Sequence, residues 1–228
     1  MKRMIGLVLL LAVQAASGFA GERACPGQPA VLVASEDGEA YVEICAAAEK
    51  ALAFLGRYAL HLKQPVTIDI VEEKIDNHGY LAYGSYQSGQ QRIRLMSYAA
   101  ILANAENPTM YDEPFDRVHY AGVVAHEVAH AVVDQHIKVK KFAMAPQEYL
   151  AHATQLAVLP EARRTAIIQA MKVKPWEGGD SVSHIYMAMN PGKFAVKSYL
   201  HLTSLAEPAG FIQILLNNNW LYVHVPKG

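Results

Sequence analysis

The sequence predicts an α+β fold, with a small N-terminal sheet and its helices followed by a mainly helical C-terminal lobe. Apolar residues recur at three- and four-residue steps over residues 36–60, which indicates a helix. They alternate with polar residues over 65–71, which indicates a strand. From residue 112 onwards the patterns are mostly helical. We therefore expect two lobes that meet at the helix carrying His126 and His130.

The first twenty residues are expected to be a signal peptide, which leaves residues 21–228 as one domain. A positively charged start precedes an apolar run over residues 4–13, and the small residues Gly18 and Ala20 supply a cleavage site. The apolar run is shorter than the ~20 residues that a membrane span requires. We expect a secreted or periplasmic protein without a stable membrane span, and an uncleaved N-terminal anchor is the alternative.

Charge and cysteine content restrict the partners and the compartment. The formal net charge of −1 gives no hint of the basic face that a nucleic-acid-binding protein presents. Cys25 and Cys45 predict a disulfide between the N-terminal segment and the first helix, since an even cysteine count is typical of exported chains. Two free buried thiols are the alternative, and the cysteine spacing is too long for a cysteine-based zinc site.

Two more strands and a short helix complete the N-terminal lobe. Residues 80–86 and 91–96 have strand-like composition and are separated by the turn-prone Ser88-Gly89-Gln90. A short helix over residues 98–105 follows and ends before Pro108.

The C-terminal lobe begins with a long helix. Asp112 is expected to be its N-cap, because Glu113 and Pro114 then occupy the first turn, where an acidic side chain suits the helix dipole and proline is tolerated. The helix should extend to about residue 135. Further helical patterns lie over residues 146–159, 161–171, 193–205 and 211–216.

The long helix carries the motif His126-Glu127-Val128-Ala129-His130. Side chains four residues apart lie one above the other on a helix, so the two imidazoles can bind a single Zn²⁺ ion at ~2.0–2.1 Å. Glu127 lies beside them without being a ligand, where its carboxylate can act as a general base toward a metal-bound water. A buried structural pair of histidines is the alternative.

A catalytic zinc ion requires a third protein ligand, and the sequence offers Glu148, His136 and His152. His136 stands at the offset that metzincins use, but those proteins need a glycine three residues after the second histidine, where this chain has Val133. Val133 is poorly suited to a positive φ angle, and in a continuous helix His136 points about 120° away from His130. His136 is then a last-turn residue that suits the helix C-terminus.

The motif, followed by Gln147-Glu148-Tyr149-Leu150-Ala151, resembles the gluzincin branch of the zincin-like zinc metallopeptidases. The resemblance is local to these two helical segments, and it implies a zincin-like fold with zinc in a cleft between the lobes. It implies that His126, His130 and Glu148 are the zinc ligands and that Glu127 is the general base. The implied substrate is a peptide or protein, and the implied reaction is hydrolysis by zinc-activated water.

One position departs from the gluzincin pattern. Many members carry an aspartate four residues after the ligand glutamate, where it supports a ligand histidine, and here that position is His152. We expect His152 to have a catalytic role, by hydrogen bonding to the Glu148 carboxylate or by holding a developing oxyanion, and a plain surface histidine is the alternative. Asp134 either orients a ligand imidazole or is an exposed helix-end carboxylate. Further candidates for the oxyanion role, which the sequence does not rank, are Tyr149, His184, Tyr186, Tyr199 and His201.

Zincins that resemble this chain bind an extended peptide on an edge strand that precedes the motif helix. Residues 92–96 occupy that place here, and the charged side chains of Arg92 and Arg94 suit an exposed edge. We therefore expect residues 92–96 to be the edge strand, and a solvated hairpin strand is the alternative.

Together these residues predict an exported zinc-dependent metallohydrolase, and the preferred prediction within that class is a peptidase. Two rival functions use the same site: hydrolysis of a different amide or ester, for example in cell-wall peptide, and zinc binding without catalysis. Glu127 counts against the second rival, because a storage or interaction site has no need of a base beside the metal.

Overall fold

The computed structural model describes residues 21–77, 79–139 and 143–227, which form a mixed α/β structure. A small mixed sheet lies in the N-terminal half and most of the helices follow it, which is consistent with the predicted α+β class. The predicted signal peptide, residues 1–20, lies outside the described residues. Within the described part, no helix is both long and apolar enough to span a bilayer.

Eight helices and eleven strands lie in the described residues. The helices are α1 (Gly38–Gly56), α2 (Tyr98–Asn104), α3 (Arg117–His136), α4 (Met144–Ala157), α5 (Glu161–Met171), α6 (His184–Met189), α7 (Pro191–Ser204) and α8 (Pro208–Leu216). The strands are β1 (Glu22–Cys25), β2 (Gln28–Ala34), β3 (Val66–Val71), β4 (Ile75–Asn77), β5 (Tyr80–Ala82), β6 (Gly84–Gln87), β7 (Arg92–Met96), β8 (Thr109–Met110), β9 (Glu113–Pro114), β10 (Ser181–Ser183) and β11 (Tyr222–His224).

The main sheet contains five strands in the order β1-β2-β3-β7-β6. β2, β3 and β7 are parallel to one another, whereas β1 and β6 are antiparallel to their neighbours. α1 and α3 pack against each other and against this sheet. The three parallel strands bury alternate apolar side chains, because successive residues of a strand point to opposite faces. These residues are Val31, Val33, Val66, Ile68, Ile93 and Leu95.

The prediction that residues 92–96 form an edge strand of the sheet is wrong. β7 lies inside the sheet, where it pairs with β3 on one side and with β6 on the other. The hairpin that joins β6 to β7 leaves β6 as the outer strand. The charged side chains of β7 do not mark an edge, because Arg92 binds Asp69 of the neighbouring β3 and Arg94 binds Glu73.

The predicted strand over residues 80–86 is two strands in different sheets. β5 pairs with β4 in a separate hairpin, whereas β6 belongs to the main sheet. Tyr83 lies between the two strands, and its carbonyl oxygen accepts a hydrogen bond from the Met96 N–H at 2.9 Å. β6 begins after Tyr83, at Gly84, and contains four residues.

The predicted N-cap of the motif helix is also wrong. Asp112 has a positive φ angle of 62°, and the two residues after it form β9, which pairs with β8. The helix begins after Asp116, whose side chain accepts a hydrogen bond from the backbone N–H of His119 at 3.0 Å. Asp116 thus satisfies a free N–H group of the first turn, as an N-cap residue does.

The predicted disulfide between Cys25 and Cys45 is confirmed. It joins the end of β1 to α1, and both cysteines are buried. The Tyr41 hydroxyl of α1 adds a hydrogen bond to the carbonyl oxygen of Ala24 at 2.6 Å. The N-terminal hairpin is therefore fastened to the first helix by a covalent and a polar contact.

In the C-terminal lobe, α4 packs against both α3 and α7. The contact with α3 is close at Gly122, where a Cβ atom would lie 3.2 Å from Cγ and 3.5 Å from the carbonyl oxygen of Gln155. α4 begins at Met144, slightly before the predicted start at Pro146. The packing of α3 on α4 brings side chains of the two helices to one place.

Candidate metal centre

The three ligands that the resemblance implies converge from two helices. His126 and His130 lie one turn apart on α3, and their Nε2 atoms are 3.0 Å from each other. Glu148, near the start of α4, places Oε2 3.4 Å from His126 Nε2 and Oε1 3.6 Å from His130 Nε2. In the described residues, these three side chains are the only group of metal-type donors whose ligand atoms all lie within 4.8 Å of one another.

The spacing of the donors fits a single Zn²⁺ ion. Ligand atoms at ~2.0–2.1 Å from a tetrahedrally coordinated zinc lie about 3.3 Å from one another. Here the two histidine Nε2 atoms are 3.0 Å apart, and they lie 3.4 and 3.6 Å from the Oε2 and Oε1 atoms of Glu148, respectively. Two imidazoles and one carboxylate are a donor set of catalytic zinc sites, which leave one coordination position open.

α3 continues as a helix through Val133 to His136, so the chain does not turn back as in a three-histidine site. His136 Nε2 instead forms a hydrogen bond with the carbonyl oxygen of His61 at 2.9 Å. This agrees with its predicted place in the last turn. Asp134 does not orient a ligand imidazole, because its carboxylate accepts hydrogen bonds from Tyr86 at 2.8 Å and Ser88 at 2.9 Å.

Glu127 lies beside the ligands and faces the outer strand of the sheet. It is 7% exposed and lies close to Gly84 of β6. Burial raises the pKa of the Glu127 carboxyl to about 7, although the nearby His126 acts against this. Gly84 leaves room for the side chain, because a Cβ atom there would lie 2.6 Å from Glu127 Cγ.

Burial and mutual charge shift the pKa values of the three donors in different directions. Burial alone would raise the pKa of Glu148, but the charges of His130 and His126 prevail and hold it well below its ordinary value. Burial lowers the pKa of His130 to about 4. For His126 burial acts in the same direction, but the hydrogen bond to Glu148 and its charge raise the pKa above the ordinary value. The three groups therefore shift one another's pKa values, as closely packed ionisable side chains do.

His152 packs against the donors without bonding to them. Its Nε2 lies 3.6 Å from Glu148 Oε2, which is too long for a hydrogen bond, and its ring centroid lies 4.7 Å from that of His126. Burial lowers the pKa of His152 to about 3. Its Nδ1 is buried and has no hydrogen-bond partner among the described residues. The catalytic role of His152 stays a prediction.

Gln155 is the residue that contacts the Nδ1 atom of His126, and the sequence analysis missed it. Its Oε1 accepts a hydrogen bond from His126 Nδ1 at 3.0 Å. Gln155 is 4% exposed and lies two turns after Glu148 on the same helix. The seven-residue spacing from Glu148 is the signal that could have identified it, because residues so spaced share one face of a helix.

The donors open into a cavity of about 720 Å³. β6 lines one part of it, and Met144 and Met187 of the C-terminal lobe line another. A second cavity of about 380 Å³ adjoins the first, and the two share Met110, His152 and Gln155. The methionines give these walls an apolar, adaptable surface.

The five further oxyanion candidates are not among the described residues that line either cavity. The Tyr149 hydroxyl and His201 Nδ1 are 2.7 Å apart in the core, where both side chains pack against Phe211. Tyr186 packs against Trp176, and Tyr199 stacks on Phe54. His184 is the first residue of α6. The contacts of Tyr149 with His201, and of Tyr186 and Tyr199 with their aromatic neighbours, are packing contacts.

Comparison with known proteins places the chain in a family. No curated protein and no solved structure matches it. A family model does match, and its description is a family of unknown function, DUF6639. The match covers residues 31–225, which include most of the main sheet, the donor group and the helical lobe. The chain therefore belongs to the DUF6639 family.

Proposed function

We propose that the protein is an exported zinc-dependent peptidase with a zincin-like fold. The observation that carries the proposal is the convergence of His126, His130 and Glu148, with the Glu127 carboxylate lining the same cavity. The Cys25–Cys45 disulfide supports an oxidising compartment, such as a periplasm or the extracellular medium.

The roles of the residues follow from this arrangement. Zinc held by the three donors would lower the pKa of a coordinated water to about 7 and polarise the carbonyl group of the substrate. Glu127 would accept the proton of the attacking water on its carboxylate and deliver it to the leaving amine. Gly84 of β6 lies against the Glu127 side chain, which limits the positions that the carboxylate can take before the proton transfer.

The outer strand of the sheet supports a peptide as substrate. Because the Met96 N–H donates to the Tyr83 carbonyl oxygen, alternate residues of β6 turn their backbone groups toward β7. The N–H and C=O groups of Gly84 and Tyr86 then point away from β7. They can pair with an extended chain whatever its side chains are.

Replacing Gly84 by alanine is expected to keep zinc bound and to lower peptide hydrolysis by about 100-fold. The added methyl group would lie 2.6 Å from Glu127 Cγ and 2.9 Å from Cδ, so the carboxylate has to move. The measurement is kcat/KM beside zinc content in the same preparation. Gly38→Ala is the control, because a Cβ atom at Gly38 meets nothing within 4 Å. Unchanged kcat/KM in Gly84→Ala would mean that the close contact with β6 does not position Glu127.

The proposed function is tested on the purified protein by elemental analysis and by hydrolysis of a library of fluorogenic peptides. We expect one zinc ion per chain, hydrolysis that a chelator abolishes, and recovery when zinc is added back. Hydrolysis of cell-wall fragments or esters without cleavage of peptides would assign the site to a different hydrolase. Bound zinc without hydrolysis of any substrate would indicate a binding protein. A chain that takes up no zinc would overturn the proposal.

A further inference from the structure

Gln155 connects a ligand histidine to a methionine in the wall that the two cavities share. Its Oε1 accepts a hydrogen bond from His126 Nδ1 at 3.0 Å, and its Nε2 donates to Met110 Sδ at 3.0 Å. The residue is 4% exposed, so bulk water has little access to either contact. Both the oxygen and the nitrogen of the buried Gln155 amide therefore form a hydrogen bond.

The contact with Met110 determines the orientation of the Gln155 side-chain amide. An amide offers an oxygen acceptor on one side and an NH₂ donor on the other, and a rotation by 180° exchanges them. A thioether sulfur can accept a hydrogen bond but has no hydrogen to donate. The NH₂ group of Gln155 therefore belongs against Met110, which directs the oxygen at His126.

The orientation of the amide in turn sets the tautomer of His126. A neutral imidazole carries its proton on one ring nitrogen, and only the other nitrogen can bind a metal. The Gln155 oxygen requires the proton on Nδ1, which leaves the Nε2 lone pair directed toward His130 and Glu148. The opposite amide orientation would favour a proton on Nε2 and block the donor.

The packing of α3 on α4 keeps Gln155 in this place. Gly122 lies one turn before His126, and a Cβ atom at this position would lie 3.2 Å from Gln155 Cγ. The absence of a side chain at Gly122 therefore gives the glutamine its space between the helices. α4 supplies both the Glu148 donor and the residue that orients a donor of α3.

We propose that Gln155, held by Met110, is a positioning residue that presents His126 Nε2 to zinc. The inference rests on the proposed zinc site and adds to it a residue from outside the histidine motif. Because the amide is neutral, Gln155 orients the imidazole without adding a negative charge beside the donors.

The test is the zinc dissociation constant, measured by competition with a chromophoric chelator. Gln155→Leu lacks the acceptor and is expected to weaken zinc binding by ~10–100-fold, as is typical when an outer contact of a zinc ligand is removed. Gln155→Glu again offers an acceptor to the Nδ1 proton and is expected to restore the wild-type affinity. Met110→Leu removes the sulfur but keeps an apolar wall, and it is expected to give a smaller loss in the same direction.

Gln169→Leu is the matched control, because Gln169 is exposed on α5. Thermal unfolding of the zinc-free variants establishes that each is folded, and Met110→Leu continues the test if Gln155→Leu does not fold. Wild-type zinc affinity in folded Gln155→Leu, or no recovery in Gln155→Glu, would overturn this inference alone. A wild-type protein that binds no zinc would overturn the proposed function and this inference with it.

Discussion

Replacing Glu127 by glutamine is expected to leave zinc bound and to lower kcat/KM for peptide hydrolysis by ~10²–10⁴-fold. Glutamine has the shape of glutamate, but its amide does not take up a proton near pH 7. Glu127 is not one of the three donors, so the zinc content should stay at the wild-type level. The measurement is steady-state hydrolysis of a peptide chosen with the wild-type protein, beside zinc analysis of the same samples.

The control for this variant is Glu161→Gln, the same chemical change at an exposed position in the first turn of α5. It is expected to hydrolyse the peptide as the wild-type protein does. Full activity in zinc-loaded Glu127→Gln would remove Glu127 from the mechanism and leave His152 as the titratable side chain to examine next. A variant that loses its zinc would instead show that Glu127 contributes to metal binding.

Replacing Glu148 by glutamine is expected to raise the zinc dissociation constant by more than ~100-fold. Removing a residue that only hydrogen-bonds a zinc ligand weakens zinc binding by up to ~100-fold, and the loss of a ligand should cost more. The change removes the only anionic donor of the group while keeping the size of the side chain. A neutral amide oxygen is a much weaker zinc ligand than a carboxylate. Zinc per chain, measured after dialysis against a weak chelator, gives the result directly.

His136→Ala is the variant to measure beside Glu148→Gln. His136 binds the His61 carbonyl oxygen at the end of α3 and lies outside the donor group, so its removal should leave zinc content unchanged. Loss of zinc in His136→Ala with retention in Glu148→Gln would move the assignment to a three-histidine site. Retention of zinc in both variants would mean that two histidines suffice.

The parts of the site that depend on local spacing were predictable from the sequence. His126 and His130 share a helix face because they are four residues apart, and that relation needs no knowledge of the rest of the fold. Glu148 was reached through a resemblance rather than through spacing, since no local rule joins two helices. The structure brings these three side chains together. Their role as zinc ligands is a proposal.

The order of the strands was not predictable in the same way. Residues 92–96 were identified correctly as a strand, but their arginines were interpreted as marks of an edge. Whether a strand is central depends on partners distant in the sequence, here β3, whose Asp69 neutralises Arg92. The N-cap was predicted at Asp112, whereas the residue that caps the helix is Asp116. The pairing of β8 with β9 excludes Asp112 from the N-cap position.

Gln155 was missed for a chemical reason. Only carboxylates and histidines were considered as hydrogen-bond partners of a ligand histidine, and the candidates were Asp134 and His152. An amide oxygen accepts the same hydrogen bond. The sequence does place Gln155 on the face of Glu148, but the contact with His126 depends on the separation of α3 and α4 at Gly122.

Because β6 lines a cavity, the shape of this cavity restricts which substrates the proposed peptidase could cleave. Gly84 and Tyr86 line the cavity of about 720 Å³, so a chain that pairs with their backbone groups would occupy this space. A folded domain does not fit there, whereas a stretch that has left its own structure does. Cleavage of a protein would then follow the fraction of time that it spends locally unfolded.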